Sequence, residues 1–228
     1  KFPLHFIDFE TSTVALPFNK GLKPYEQIAF QFSHHIYYKN GTIEHANEYI
    51  NNIAGEFPNF NFIRALKKAL ENDNGSIFKY SNHENTIVNA IYIQLLNSQE
   101  KDKDELMAFI QSISHSKKES AIKWKGERDM VDLWDVEKRY YYNPLTKGSN
   151  SIKAVLPASL NSSKYLKEKY SKPLNQIKVT SKNFSEEHIW LQIENNTVTN
   201  PYEMLPPIFQ DWSENEIENT LSNIEGIA

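Results

Sequence analysis

The sequence predicts an α/β domain in which helices pack on a mixed β-sheet. Three strand-like segments open the chain, at residues 4–11, 27–38 and 42–50, and a helix-like segment follows at 59–73. A short apolar stretch at 75–81 then has the pattern of a buried strand, and helical patterns dominate after it. This order of elements is typical of a layered α/β architecture. We therefore expect an antiparallel meander joined to parallel strands and flanked by helices.

The meander is predicted from side-chain alternation and from a turn. In "QIAFQFSHHIYY" at 27–38, Ile28, Phe30 and Phe32 alternate with smaller or polar residues, which is the period of a half-buried strand. The following "KNG" at 39–41 is typical of a hairpin turn. The third segment, "TIEHANEYI", would then pair with the second.

The helices are predicted from apolar spacing and from their boundary residues. A first helix that runs to Asn74-Gly75 is predicted by four apolar residues at helical spacing, Phe60, Ile63, Leu66 and Leu70. Asn82 is the predicted N-cap of the next helix. Further helices are expected at 103–113 and within "SIKAVLPASL", where we expect Pro157 to stop the helix. The segment 130–136 has the pattern of a strand end that passes into a helix.

Composition bounds the class of protein. The 228 residues are 39% hydrophobic with a net charge of −4, which permits a substantial core but gives no global basic field for nucleic acid. There is no cysteine, so disulfides and thiolate chemistry are excluded. We expect a core at 1–160 and, in the same domain, a polar insertion and C-terminal extension at 161–228. We also expect a cytoplasmic protein, no membrane span, and a piece of a longer polypeptide, since the chain begins at Lys1.

The most unusual stretch is "HFIDFET" at 5–11. Residues i and i+2 of a strand point to the same face, so Asp8 and Glu10 would lie side by side while Ile7 and Phe9 face the other way. Two carboxylates this close repel one another. Either the strand is solvent-facing and the acids are incidental, or the pair binds a hard cation such as Mg²⁺ or Mn²⁺. The apolar flanks favour the cation.

Two other segments carry candidate chemistry. In "YSNHENTIVNAI", Glu84 lies in the first turn of a predicted helix, either as a functional acid or as a simple complement to the helix dipole. In "KGSNS" at 147–151, backbone amides and lysine could bind phosphate, unless Ser149 or Ser151 only caps a helix. No nucleophile elbow, dinucleotide-binding fingerprint or P-loop pattern occurs in the sequence.

Together these segments resemble a known group of enzymes. "FIDFET" is similar to the first motif of the DEDD, or DnaQ-like, 3′–5′ exonucleases, which have a ribonuclease-H-like fold. More closely, "FIDFET", "PYEQIAFQFSHH", "VDLWDVEKRYYYNP" and "KGSNSIKAVLP" resemble an uncharacterised bacterial family that is defined only as a domain of unknown function and is predicted to be such a nuclease. The resemblance covers roughly residues 4–160. The motif at 140–157 is specific, whereas D-x-E-T alone is common.

The resemblance implies a two-metal nuclease with a defined set of residues. Asp8 and Glu10 match the ligands of the first motif for two Mg²⁺ or Mn²⁺ ions. Glu84 takes the place of the Asp in the second motif, which follows an Asn at a helix start. The last acid of the superfamily has no match before Ala228, since His188 lacks a partner acid and Asp211 lies in a Pro-rich stretch. We therefore expect that acid further downstream.

The resemblance also implies the partner and the reaction. We expect binding of a single-stranded nucleic-acid end, with contacts from Thr11, Asn82, Lys153 and Tyr142, and hydrolysis of phosphodiester bonds. Besides Tyr142, three aromatic side chains are candidates for base stacking: Phe9, Tyr25 and Tyr141. Two alternatives remain open at this point. One is a catalytically degenerate domain that binds nucleic acid or a protein, and the other is a small-molecule phosphodiesterase on the same scaffold.

Overall fold

The computed structural model describes residues 1–53, 55–194 and 197–204. Six strands form the main sheet, and they are β1 Leu4–Ser12, β2 Ile28–Tyr37, β3 Ile43–Ile50, β4 Ser76–Lys79, β5 Val131–Asp132 and β6 Val179–Thr180. The helices of the described residues are α1 Asn59–Leu70, α2 His83–Leu96, α3 Lys103–Ile113, α4 Leu133–Tyr140, α5 Ile152–Ser162 and α6 Lys164–Tyr170. A two-residue hairpin pair, β7 Ile193–Glu194 and β8 Thr197–Val198, lies apart from the main sheet.

The strand order in the sheet is β5-β4-β1-β2-β3-β6. Strand β2 is antiparallel to both β1 and β3, whereas β4 is parallel to β1 and β5 is parallel to β4. An antiparallel meander followed by parallel strands is the ribonuclease-H-like mixed sheet that the sequence predicts. The predicted fold class is therefore confirmed.

One face of the sheet packs against α1, α2 and α3 to form the main core. The alternation of β1 decides which face is buried, since Ile7 and Phe9 are buried while Asp8 and Glu10 are exposed. Phe62 of α1 sits at the centre of this core, with its ring edge-on to the ring of Phe9 at a centroid distance of 4.9 Å. Full burial of each such large apolar side chain contributes roughly 1.5–3 kcal/mol to stability.

The topology gathers the carboxyl ends of neighbouring parallel strands at one edge. Strands β5, β4 and β1 are adjacent and parallel, so their carboxyl ends meet there. The N-termini of α2 and α4 follow β4 and β5 directly at this edge. In open α/β sheets this edge is where ligands bind.

Three details of the sequence prediction are wrong. Helix α1 ends at Leu70 rather than at residue 73, because the Asp73 carboxylate accepts the backbone amide of Gly75 and forms a local turn. Asn82 occupies the N-cap position of α2, but its side chain makes no capping hydrogen bond. Pro157 does not stop α5, which continues to Ser162.

Each of the last two differences has a local cause. At the start of α2, the Ser81 hydroxyl accepts the His83 amide at 3.3 Å in place of an Asn82 cap. In α5, burial of Ala158 and Leu160 offsets the hydrogen bond that Pro157 cannot donate. The helix in addition has the expected cap, because the Ser151 hydroxyl accepts the Lys153 amide.

Residues beyond 160 add to the sheet as well as to the surface. Strand β6 lies parallel to β3 at the edge of the main sheet. The segment "IWLQI" at 189–193 has the apolar pattern of a strand, but β7 covers only Ile193–Glu194, and Pro201–Met204 forms a 3₁₀ turn. Asp211 lies outside the described residues. No helix in the described part of the chain is long and apolar enough to cross a membrane.

Candidate functional site

Asp8 and Glu10 share the exposed face of β1, as the spacing predicts. Across the antiparallel pair they lie opposite Ser33 and Gln31, so small or polar side chains extend this face onto β2. The register shifts between Glu10 and Thr11, which marks a bulge at the end of the strand. Bulges commonly re-aim side chains next to functional sites.

Glu84 is the acid that burial affects most. It lies in the first turn of α2, its side chain is only 2% exposed, and no hydrogen-bond donor in the described part of the chain reaches its Oε2 atom. Burial, together with the nearby charge of Asp8, raises the pKa of Glu84 to about 7, although a hydrogen bond from its own backbone amide and the charge of Lys79 oppose the rise. A buried carboxylate oxygen without a donor is costly unless something else binds it.

Asp8 is perturbed in the same direction as Glu84. Partial burial among its neighbours raises the pKa of Asp8, while the Phe9 amide and His83 oppose the rise. His83 is held close by a contact of 3.1 Å between its Nε2 atom and the Thr11 hydroxyl. Asp8 on β1 and Glu84 at the start of α2 therefore form a pair of acids that influence each other electrostatically.

A buried lysine compensates a different acid of this edge. The Lys79 ammonium donates to Asp132 Oδ2 at 2.9 Å and to the Ser81 carbonyl at 2.6 Å. The other oxygen of Asp132 accepts the amides of Ser81 and Trp134, both at 3.0 Å. Both carboxylate oxygens of Asp132 are thus satisfied, which makes it a structural tie between β5, β4 and α4. Glu84 has no such set of partners.

The predicted substrate contacts are placed in different ways. Thr11 lies at the site through its contact with His83, and Asn82 lines a cleft beside it. Lys153 is exposed at the start of α5 and the Tyr142 ring is 87% exposed, but no described contact joins either of them to the acids. The alternative for "KGSNS" is confirmed in one respect, since Ser151 caps α5.

The prediction that Phe9 stacks on a base is wrong, because Phe9 is 4% exposed and belongs to the core. Tyr25 is 66% exposed, whereas the Tyr141 hydroxyl is bonded to Ser159 at 2.9 Å. Sequence reasoning also missed Tyr202, whose pKa is raised by burial and by the charge of Asp8. Its segment is far from β1 along the chain, so no local pattern could have shown this approach.

The acidic side chains at this edge of the sheet are possible ligands of a divalent metal ion. In residues 1–53, 55–194 and 197–204, no group of three or more His, Asp or Glu side chains is arranged to hold a metal. The pair formed by Asp8 and Glu84 still fits a hard divalent cation, because Mg²⁺ is usually bound by only one or two carboxylates together with water and substrate phosphate. The orphaned Oε2 atom of Glu84 is the observation that favours such a cation.

Comparison with known proteins identifies a family but no function. Residues 5–151, more than half of the chain, match the family described as a domain of unknown function, DUF2779. The chain belongs to this family. Searches of the curated proteins and of the solved structures gave no significant match. The match includes both Asp8 and Glu84 and ends at Ser151, the cap of α5.

Proposed function

We propose that this member of the DUF2779 family is a metal-dependent nuclease that hydrolyses phosphodiester bonds of DNA or RNA, acting as a 3′–5′ exonuclease. The observation that carries the proposal is the buried Glu84 carboxylate, which lies beside Asp8 with one oxygen unpartnered among the described residues. Strongly perturbed acids at a ligand-binding sheet edge are typical of functional sites. The resemblance of "FIDFET" to the first exonuclease motif supports the same reaction.

Asp8 and Glu84 would hold a Mg²⁺ or Mn²⁺ ion, with Glu10 on the same face as a third ligand. The resemblance implies two such ions. When bound, ions of this kind lower the pKa of water and stabilise charge on phosphate oxygens. They would also cancel the repulsion between the carboxylates that makes "IDFE" unusual.

The residues of the chain have separate tasks in this proposal. Glu84, with a pKa of about 7, is protonated in about half of the molecules at neutral pH, and a bound cation would displace that proton, so cation affinity should rise with pH. The contact between Thr11 and His83 fixes the rim of the site beside Asp8. Lys79 is bonded to Asp132, so it acts on Glu84 only through space and leaves the Oε2 atom of Glu84 without a donor among the described residues.

Thermal unfolding with and without Mn²⁺ tests cation binding before any substrate is known. A ligand that binds only the folded state stabilises it by about 2.7 kcal/mol at a hundredfold excess over Kd. We expect Mn²⁺ to raise the Tm of the wild-type chain, and to do so much less for Asp8→Asn and Glu84→Gln. Glu119→Gln is the matched control, since Glu119 is exposed and remote in sequence from both acids.

Degradation of end-labelled single strands then tests the reaction. We expect Mn²⁺-dependent shortening from the 3′ end by the wild type, and a loss of roughly a hundredfold or more in Asp8→Asn. Release of oligonucleotide fragments, in place of single nucleotides, would contradict the exonuclease assignment. Cleavage of small phosphodiesters alone would favour the small-molecule enzyme.

A degenerate domain that binds nucleic acid or a protein without cutting it is the second candidate. The observation in its favour is that the described residues contain no cluster of three acidic or histidine side chains suited to a metal. Glu84 in the place of the Asp of the second motif points the same way. Retention of both Asp8 and Glu10 opposes it. Strand binding that persists without any Mn²⁺-dependent degradation would select this candidate.

A further inference from the structure

A cleft of about 340 Å³ lies at the edge of the sheet where α2 begins, and its lining includes Lys79, Asp132 and Asn82, which is two residues before Glu84. We infer that this cleft is a nucleotide-binding subsite, in which an unpaired base of a single strand stacks while its phosphate extends toward Asp8 and Glu84. The inference rests on the proposed nuclease function. It adds the surface that selects single-stranded substrate and the residues that form it.

Helix α4 supplies the aromatic wall of the cleft. It has no buried residue, although it carries Trp134, Val136 and Tyr140. The Trp134 and Tyr140 side chains line the cleft with exposures of 37% and 81%, and the Lys138 ammonium lies 3.4 Å from the centroid of the Trp134 ring. A helix that places its large rings at a cleft instead of in the core is suited to stacking on a flat ligand.

Charge selects the kind of flat ligand. The chain as a whole is acidic, at −4. The charged residues that line the cleft are Lys79, Asp132, Asp135 and Arg139, and among the described residues all but Arg139 are paired, Lys79 with Asp132 and Asp135 with Lys138. Arg139 makes no hydrogen bond or salt bridge with the described residues, and its charge acts on Asp135 only through space. A free guanidinium next to exposed aromatic rings is the combination that binds the phosphates and bases of single strands.

His115 is a positioned polar group in the same cleft. Its Nδ1 atom donates to the Asp129 carboxylate at 2.8 Å, so a neutral ring presents its lone pair at Nε2. Its backbone is held on both sides, since its amide donates to Asn85 at 3.1 Å and its carbonyl accepts from Asn85 at 3.1 Å and from Asn89 at 3.0 Å. Both asparagines are buried.

These clamps connect the cleft to the acidic pair through α2. Asn85 follows Glu84 in the chain, so the residue that holds His115 adjoins the residue that would hold the cation. A base recognised by His115 and stacked by Tyr140 would therefore be placed by the same helix that places Glu84. Bases in a duplex have no free face for such stacking, which is why the cleft favours single strands.

Fluorescence anisotropy with labelled single strands, oligothymidylate and oligouridylate, tests the subsite apart from catalysis. The measurements are made in the Asp8→Asn background, so that the strand is not degraded. We expect Arg139→Ala and Tyr140→Ala each to weaken binding by roughly tenfold. Tyr165→Ala and Lys164→Ala are the matched controls, because Tyr165 is 67% exposed on a different surface and the Lys164 side chain is 90% exposed. Far-ultraviolet circular dichroism confirms that each variant is folded.

His115→Gln and Trp134→Phe sharpen the test. Quenching of tryptophan fluorescence by the strand should be present in the Asp8→Asn protein and lost when Trp134→Phe is added. His115→Gln should weaken binding and leave the Mn²⁺-dependent rise in Tm of the protein with native Asp8 unchanged. A fall in that Mn²⁺ response would show that His115 acts on the cation site, and would overturn its assignment to the subsite.

The outcomes separate this inference from the proposed function. If the cleft variants bind strands as tightly as the controls do, while the wild type degrades strands with Mn²⁺, the subsite is overturned and the nuclease stands. Equal loss of binding to duplex and single strands overturns the single-strand selectivity. If the wild-type chain neither binds nor degrades any strand, both proposals fail. A preference between the two oligonucleotides, with the cleft variants weakened, supports the subsite and names its substrate.

Discussion

The polar side chains His5 and Asp8 of β1 lie in two contrasting environments. Near its amino end, His5 is buried but has a hydrogen-bond partner at each ring nitrogen. In the middle of the strand, Asp8 acts electrostatically on Glu84 of α2, which is equally buried but has an oxygen without a partner in the described residues. The strand thus contributes to a satisfied network through His5 and to an unsatisfied pair of acids through Asp8.

The network at the amino end runs through three elements. Asp73 accepts from His5 Nε2 at 2.9 Å, His5 Nδ1 lies 2.9 Å from His34 Nε2, and Asn47 Nδ2 lies 3.2 Å from His34 Nδ1. A single choice of tautomers, with the proton on Nε2 of each histidine, satisfies every one of these contacts. Burial, followed by the neighbouring histidines, lowers the pKa of His34 to about 4, so it stays neutral.

The comparison separates structural from functional burial of polar groups. Buried polar groups with hydrogen-bond partners make a fold more rigid. A buried polar group without a partner destabilises the fold, and a ligand that binds it can remove this destabilisation. The two regions should also respond to pH in opposite directions, because one contains histidines with lowered pKa and the other a carboxyl with raised pKa. Substitutions at Gly75, Glu84, His34 and Asn47 test this contrast.

The largest effect is expected from Gly75→Ala, which would break the satisfied network. An added Cβ atom would lie 2.0 Å from the Pro3 carbonyl oxygen and 2.7 Å from His5 Nε2. We expect a loss of about 4 kcal/mol in the free energy of unfolding, measured by denaturant titration. Gly41→Ala is the control, since its Cβ meets open space at a φ of +87° and should cost only about 1 kcal/mol. Equal losses would contradict the prediction.

The next effect is a gain in stability from Glu84→Gln. A pKa raised from 4.5 to about 7 favours the folded state at low pH, and this contribution is lost as the pH rises through that interval. In the metal-free protein at pH 8, the variant should therefore be more stable than the wild type by about 3 kcal/mol. The difference should vanish near pH 4.5, and saturating Mn²⁺ should reduce it at pH 8. A destabilised variant at pH 8 would show that Glu84 is a structural residue.

The third effect appears on acidification and concerns His34. Its pKa falls from 6.5 to about 4 on folding, so the stability it contributes is present above pH 6.5 and lost as the pH falls toward 4. Because of His34, the free energy of unfolding of the wild type should fall by about 2 kcal/mol when the pH is lowered from 7 to 5. His34→Gln should be less stable at pH 7 but flatter over this range. Parallel pH profiles would exclude His34 as the source of the acid sensitivity.

The smallest effect is expected from Asn47→Ala at the outer end of the network. Asn47 is only half-buried, so water can replace its hydrogen bond to His34 Nδ1. We expect a loss of about 1 kcal/mol in the free energy of unfolding at pH 7. A loss as large as that of Gly75→Ala would mean that the network fails as a unit when either end is removed.

Periodicity predicts most of the fold because burial is repeated along each element. The alternation in 4–11 and 27–38 and the apolar stripe of α1 were enough to place β1, β2 and α1 and the shared face of Asp8 and Glu10. Helix ends were predicted less well. They depend on single hydrogen bonds, such as Asp73 to the Gly75 amide, or on burial of Ala158 and Leu160 beyond Pro157.

The succession of strands along the chain, the shared face of Asp8 and Glu10 on β1 and the position of Glu84 at the start of α2 all follow from local patterns in the sequence. Which of these acids have compensating partners depends on how the chain folds. Lys79 reaches Asp132 across 53 residues of sequence, while the Oε2 atom of Glu84 has no hydrogen-bond partner among the described residues. The structure likewise brought His115, which is bonded to Asp129, to the cleft that Tyr140 lines. Periodic patterns report which face is buried, whereas electrostatic compensation depends on distances between residues far apart in the chain.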